Sequence, residues 1–348
     1  MARRQPPPVL LAVLIGIAAV ALQALLVPLF AGPAANLEPR DLPIVVAGPP
    51  EATAGIAARM EQTLPGGFEI IVRPDAAAAD RALRDREAYG ALVVGPDGPV
   101  LHTASAASPT VATLLAQAAG QLGDGRPVPV VDVVPGDPDD PRGGGFAGGF
   151  LPLVMTSLIA AAALTLAVRS RPVRLAGLLA YGVLAGLVGA AVLQFWLGVL
   201  PGGYPLNAAV IGLTALAVAA TVAGLGSLLG LPGIGLGALI VFLLGNALSA
   251  VGAAPELLPQ PWGTVGQWLP VGAGATLLRS AAFFDGAGGA QPMWILAGYV
   301  VVGLVLLLVG RSVPVVPGRS VDRPGEAGAP EVSGTPVATS GGPAVTRG

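Results

Sequence analysis

The chain has 348 residues, 53% of them apolar and 11% charged, with a mean hydropathy of +0.75 and a formal net charge of −2. Soluble domains carry about 25% charged residues, so this is the composition of a membrane protein. All 18 basic residues are Arg, Cys is absent and His102 is the single histidine. That excludes a Walker-A ATPase, a Schiff-base lysine and a thiol nucleophile, and leaves almost nothing for a zinc centre or a Ser/His/Asp triad. No enzyme activity, cofactor, metal or catalytic residue is expected.

Residues 1–7 carry Arg3 and Arg4 and lead into a first apolar span, 8–30. This run is longer than the roughly 7–15 residues of a signal-peptide core, so it reads as an uncleaved anchor. The small residues of "AGPAA" just after it leave cleavage as the alternative.

Residues 31–145 are patterned as an extracytoplasmic α/β domain. "LPIVVAG", "FEIIVR", "YGALVVG", "PVLHTAS" and "VPVVDVV" read as strands, and "EATAGIAARMEQTL", "DAAAADRALRDREA" and "SPTVATLLAQAAGQL" as helices, the last capped by Ser108. Strands alternating with helices predict a parallel sheet, and the segment 37–134 is expected to fold by itself. His102 falls inside the fourth strand, where a lone histidine is far more often a solvated or core residue than a ligand. "GDPDDPRGGGFAGGF" has no apolar periodicity and reads as a flexible tether, either a plain bridge or a hinge.

Residues 146–252 hold four further spans, 146–168, 175–200, 206–229 and 231–251, and the only charges in them or between them are Arg169, Arg171 and Arg174. No ionisable residue sits in the middle of a span, so an ion-coupled transporter would lack its carrier. Gly182, Gly186 and Ala190, Gly226 with Gly230, and Gly233 with Gly237 repeat at four-residue spacing, the pattern of close helix contact. Residues 253–292 are apolar but broken by Pro255, Pro259, Pro261 and Pro270, and they carry Trp262 and Trp268, side chains that suit a membrane interface. A last span, 293–310, precedes a Gly- and Pro-rich tail, 311–348, whose composition predicts disorder.

The Arg clusters at residues 3–4, 169–174 and 311–323 all fall on one side of a six-span α-helical fold, which places both termini in the cytoplasm. Residues 31–145 then lie outside with 15 carboxylates against 8 Arg, a balance that argues against nucleic-acid binding.

This order of parts resembles the permease subunits of the ABC type 2 transporter family, in its branch with a large extracellular domain, which includes phage infection protein-like members. The resemblance rests on topology over residues 1–310 and on the stretches "DAAAADRALRDREAYGALVVGPDG" and "LPQPWGTVGQWLPVGAGATLLRSAAFFDG". It implies a homodimer in contact with membrane lipid that works with a separate ATP-binding subunit and exports an amphipathic or lipid-like substrate. It also implies that residues 253–292 dip into the bilayer as a helical hairpin forming an outer gate. In that gate Pro270 and the prolines before it break the helix, Trp262 and Trp268 sit at the membrane interface, Arg279 snorkels outward and Asp285 ends the hairpin. Arg169, Arg171 and Arg174 would form the ATPase-contact loop, although "RSRPVR" is shorter than the coupling helix of the family. The alternatives are a surface-lying amphipathic segment in place of the gate, and a non-transporting envelope protein whose outer domain binds a ligand or partner.

Overall fold

A computed structural model describes residues 7–122 and 127–310, so Arg3, Arg4 and the tail 311–348 lie outside the described residues. Six helical segments are long and apolar enough to cross a membrane: Pro8–Pro33, Gly144–Ala167, Arg171–Trp196, Tyr204–Leu229, Leu231–Leu248 and Ala290–Val309. They match the six expected spans, with ends shifted by a few residues. The first belongs to helix α1 (Pro8–Ala35), and the shorter helices α2 to α4 belong to the α/β unit. The second span is α5 (Gly144–Gly148) with α6 (Phe150–Ala167), and the third is α7 (Arg171–Ala191) with a π-helical turn, Val192–Trp196. The fourth is α8 (Tyr204–Leu229). The fifth runs through α9 (Leu231–Ala238), a π-helical stretch and α10 (Gly245–Leu248), and the sixth is α13 (Ala290–Val309).

Helix α8 is the axis of the bundle. Some 72% of its span is buried, against 28% or less of every other span, and it packs on α6, α7, α9, α13 and a further helix, α12 (Pro270–Phe283). Apolar attraction between helices is weak in lipid, so close backbone approach and dispersion hold such a bundle together. The small residues supply that approach. A Cβ on Gly186 would collide with the Ala208 carbonyl, one on Gly224 with the Gly303 carbonyl, and one on Gly237 would press on Val222. The repeats at Gly182/Gly186/Ala190 and Gly233/Gly237 are thus the faces that α7 and α9 turn to α8. Gly230 is different: its φ of 75° ends α8, so it forms no packing pair with Gly226.

The α/β unit is a five-stranded sheet of order β2-β1-β3-β4-β5, with β1 Leu42–Ala47, β2 Phe68–Arg73, β3 Gly90–Gly95, β4 Gly98–Thr103 and β5 Val130–Asp132. Helices α2 (Pro50–Thr63), α3 (Ala76–Arg84) and α4 (Pro109–Leu122) connect the strands. The expected parallel sheet is corrected at one place: β3 and β4 pair antiparallel, with Gly95 opposite Gly98. Only Pro96 and Asp97 separate them, too few residues for the crossover a parallel pair needs. Asp75 caps α3 through Ala78 N–H at 2.7 Å, and Ser108 caps α4 through Val111 N–H at 3.3 Å. His102 on β4 meets Asp80 on α3 at 2.6 Å, a contact that ties helix to sheet.

Neither face of the sheet is closed by the unit's own residues alone. On one face Leu42, Ile44, Leu101, Val111 and Leu115 pack with Ala254 and Leu257. On the other, Val45, Ala47, Ala79, Leu83 and Ala91 pack with Phe284. The segment that supplies these plugs is itself helical, with a 3-10 turn Pro255–Leu257, then α11 (Trp262–Gln267) and α12 (Pro270–Phe283). Two of its prolines, read in the sequence only as helix breakers, also begin elements: Pro255 opens the 3-10 turn and Pro270 opens α12. The stretch expected to be a flexible tether is built differently as well. Asp140 accepts Gly145 N–H at 3.0 Å and Phe146 N–H at 2.7 Å, so its carboxylate caps the start of the second span and fixes the joint there.

Candidate functional site

Where the α/β unit, α12 and the start of α13 meet, a cavity of about 290 Å³ is lined by Arg86, Tyr89, Glu256, Gln267, Thr276 and Arg279, with Ser249, Gln291 and apolar residues between them. These six polar residues reach it from four different pieces of chain. Arg86 follows α3 and Tyr89 precedes β3, so the sheet presents both. Glu256 comes from the 3-10 turn, Gln267 from the end of α11, and Thr276 and Arg279 from one face of α12.

The contacts bind the two sides together. Tyr89 Oη donates to Glu256 Oε2 at 2.8 Å, and Arg86 Nη1 donates to the Thr276 carbonyl at 3.1 Å. Thr276 Oγ1 donates to Gln267 Oε1 at 2.6 Å, and Gln267 Nε2 donates to the Ser249 carbonyl at 3.2 Å. Arg279 is only 7% exposed, donates to the Val251 carbonyl at 2.9 Å, and lies over the Phe146 ring with Cζ 4.8 Å from its centroid. Arg86 lies over Phe284 in the same way at 5.2 Å. Neither guanidinium has an ion-pair partner among the described residues. Two cations therefore face one carboxylate, and that carboxylate is engaged by a tyrosine.

Burial dominates the electrostatics. It lowers the Arg279 guanidinium to about 10, with the nearby charge of Arg86 acting in the same direction. It also lowers Arg86, against the opposing pull of Tyr89 and Glu256. Glu256 is pushed up from the usual carboxylate range by burial, partly offset by hydrogen bonds and by Arg86. Both arginines remain cationic at neutral pH.

The backbone around this joint is unusual. Among the described residues, four that are not glycine have positive φ: Asp41 at 49°, Arg86 at 59°, Ala250 at 51° and Asp285 at 51°. Arg86 and Ala250 line the cavity. Asp41 follows Arg40, whose N–H donates to the Glu256 carbonyl, and Asp285 follows the Phe284 plug. Left-handed backbone at a non-glycine residue costs about 1 kcal/mol or more and persists where the surroundings over-determine it.

The residues singled out in the sequence divide between the two ends of the bundle. Arg279 was expected to snorkel outward; it points inward instead, because α12 is buried on nearly every face. Trp262 and Trp268 are exposed, Pro270 is the buried first residue of α12, and Asp285 lies just past its end. At the far end of the bundle Arg169 is exposed, whereas Arg171 Nη1 donates to the Leu308 carbonyl at 3.0 Å. Arg174, expected in the same contact loop, is 2% exposed and donates to the Thr165 and Val168 carbonyls and to Ser227 Oγ. It is committed to the end of α6 and is closed to a partner protein. Arg86, Tyr89 and Glu256 escaped the sequence reading; their signal was only an Arg and a Tyr at a helix-to-strand joint and a lone Glu in an apolar stretch. No protein family, curated protein or solved structure matches this chain.

Proposed function

We propose that the chain is the permease subunit of an ABC-type exporter that moves an amphipathic or lipid-like substrate, acting as a homodimer with a separate ATPase. In this reading the α/β unit is extracytoplasmic, both termini are cytoplasmic and the protein resides in the cell membrane. The observation that carries it is the position of α12, wedged between the central helix α8 and the α/β unit. Gly274 on α12 leaves no room for a Cβ against Thr214 of α8, while Arg86 and the Phe284 plug tie the other end of α12 to the sheet. A shift of α8 would be passed through α12 to the outer unit, as a gate driven from the cytoplasm requires.

The distribution of side chains supports the orientation. Arg169, Arg171 and Arg174 all lie at the end opposite the α/β unit, the bias expected of a cytoplasmic side, while the exposed Trp196, Trp262, Trp268 and Trp294 mark a membrane interface at the α/β end. One observation favours the second reading, a ligand-binding envelope protein without transport: two of those three arginines are spent on helix ends, which leaves little for an ATPase to grip.

Purification from native membrane tests the choice. An ATP-binding subunit that co-purifies, and whose ATP turnover rises in the complex, is the result expected of a permease. In intact cells an impermeant thiol reagent should label Ala77→Cys, with Ser170→Cys labelled only after lysis. Correct labelling without a co-purifying ATPase would move the assignment to the envelope protein.

A further inference from the structure

The cavity at the joint contains more cationic hydrogen-bonding capacity than the protein uses. A guanidinium offers five N–H donors. Arg86 and Arg279 each make one hydrogen bond in the structure, both to backbone carbonyls, and one face of each is covered by an aromatic ring. No carboxylate pairs with either among the described residues. Glu256, the single acidic side chain lining the cavity, already accepts from Tyr89. Buried charges are retained where something pairs with them, and no group among the described residues forms an ion pair with either guanidinium.

We propose that this cavity binds one tetrahedral oxyanion of the phosphate class, held between Arg86 and Arg279, with Gln267 and Thr276 on its walls. Its volume of about 290 Å³ falls at the small end of ligand pockets, which run from about 300 to 1,000 Å³, and suits a phosphate or a phosphorylated head group better than a whole lipid. Arginine forks match phosphate oxygens two at a time. The apolar lining from Ala253, Ala275 and Ile295 keeps the local dielectric low and strengthens the contact. Glu256 sets the affinity from the other side, as a like charge near the bound anion. Tyr89 screens it by donating to its carboxylate, so the site accepts an anion while keeping one acidic group in its lining. Since Arg86 belongs to the α/β unit and Arg279 to α12, a bound anion would also bridge the two. The proposal concerns binding alone and holds whether the protein is a permease or an anchored receptor.

The experiment uses the full chain in phosphatidylcholine nanodiscs, titrated with inorganic phosphate, and in a second arm nanodiscs doped with phosphatidic acid and analysed by native mass spectrometry. Binding should saturate at one anion per chain. Arg279→Gln or Arg86→Gln should weaken it by roughly tenfold or more, the usual loss for one charge-assisted contact. Glu256→Gln should tighten it, an effect that a merely structural role for these side chains would not produce. Saturation by inorganic phosphate identifies a free anion as sufficient; retention of phosphatidic acid alone identifies a lipid head group as the source; either outcome supports the site. Absence of saturable binding in both arms overturns it, and so does binding that survives the Arg86→Gln/Arg279→Gln pair unchanged. Should Arg279→Gln fail to fold, Arg86→Gln and Glu256→Gln, both less enclosed than Arg279, decide the matter by the opposite directions of their effects.

Discussion

Arginine serves two unlike purposes in this chain, and burial separates them. Arg174 is almost fully enclosed, yet every group it meets is a hydrogen-bond acceptor at a helix end: the Thr165 and Val168 carbonyls close α6, and Ser227 lies near the close of α8. The last carbonyls of a helix have no partners within the helix and carry the negative end of its dipole, so a cation there satisfies them twice over. Arg86 and Arg279 meet one carbonyl and one aromatic ring each and otherwise face a cavity. The first arrangement is complete and the second is open. Replacing Arg174 by Met should therefore cost roughly 2–3 kcal/mol, the scale of hydrogen bonds made by a charged group, because three acceptors lose their donor. Thermal unfolding of the purified protein should show a clear fall in midpoint for Arg174→Met and none for Arg169→Gln, whose side chain is exposed. Equal midpoints would mean that water or lipid replaces the guanidinium without loss.

At the scale of elements, backbone contact between helices accounts for the glycine content better than flexibility does. Gly186 of α7 rests against Ala208 and Gly212 of α8, and a Cβ there meets backbone atoms that cannot swing aside. Gly298 of α13 has nothing within reach of an added Cβ. Gly186→Ala is thus expected to destabilise by about 1–3 kcal/mol through overpacking, while Gly298→Ala should be neutral or gain up to about 1 kcal/mol from helix propensity. Denaturation of both variants in one detergent gives the comparison, and a neutral Gly186→Ala would show that α7 can retreat from α8. The same contrast explains what the sequence disclosed. The spans were legible because twenty apolar residues have few other fates, and the four-residue glycine spacing pointed to the faces that α7 and α9 turn to α8. The antiparallel β4 was misread because strand alternation says nothing of direction, although the two-residue link "PD" contained that information. The cavity was not legible at all: Tyr89 and Glu256 stand 167 residues apart, and no local pattern relates them.

The whole molecule raises the question of where one folding unit ends. Alternating strands and helices suggested that residues 37–134 would fold alone, but both faces of that sheet are finished by residues more than a hundred positions further along the chain. Leu257 is fully buried and Ala254 beside it, against Leu42 and Leu115; Phe284 is 5% exposed against Val45 and Leu83. Removing a buried Leu or Phe typically costs about 2–5 kcal/mol, and a small domain has about 5–15 kcal/mol in total. Deleting both plugs at once therefore consumes most or all of the stability available to the excised unit. Two further links, Arg40 to the Leu257 carbonyl at 2.9 Å and Tyr89 to Glu256, would be lost with them. The isolated segment 37–134 is expected to keep helical and strand circular dichroism, bind a hydrophobic dye and give poorly dispersed amide resonances. Fusion of residues 253–289 to its C-terminus by a flexible linker should restore dispersion, since that piece supplies both plugs and both links. A well-dispersed spectrum from 37–134 alone would show that the sheet closes itself, and would make the joint with α12 a contact between finished bodies able to part, rather than a core held in common.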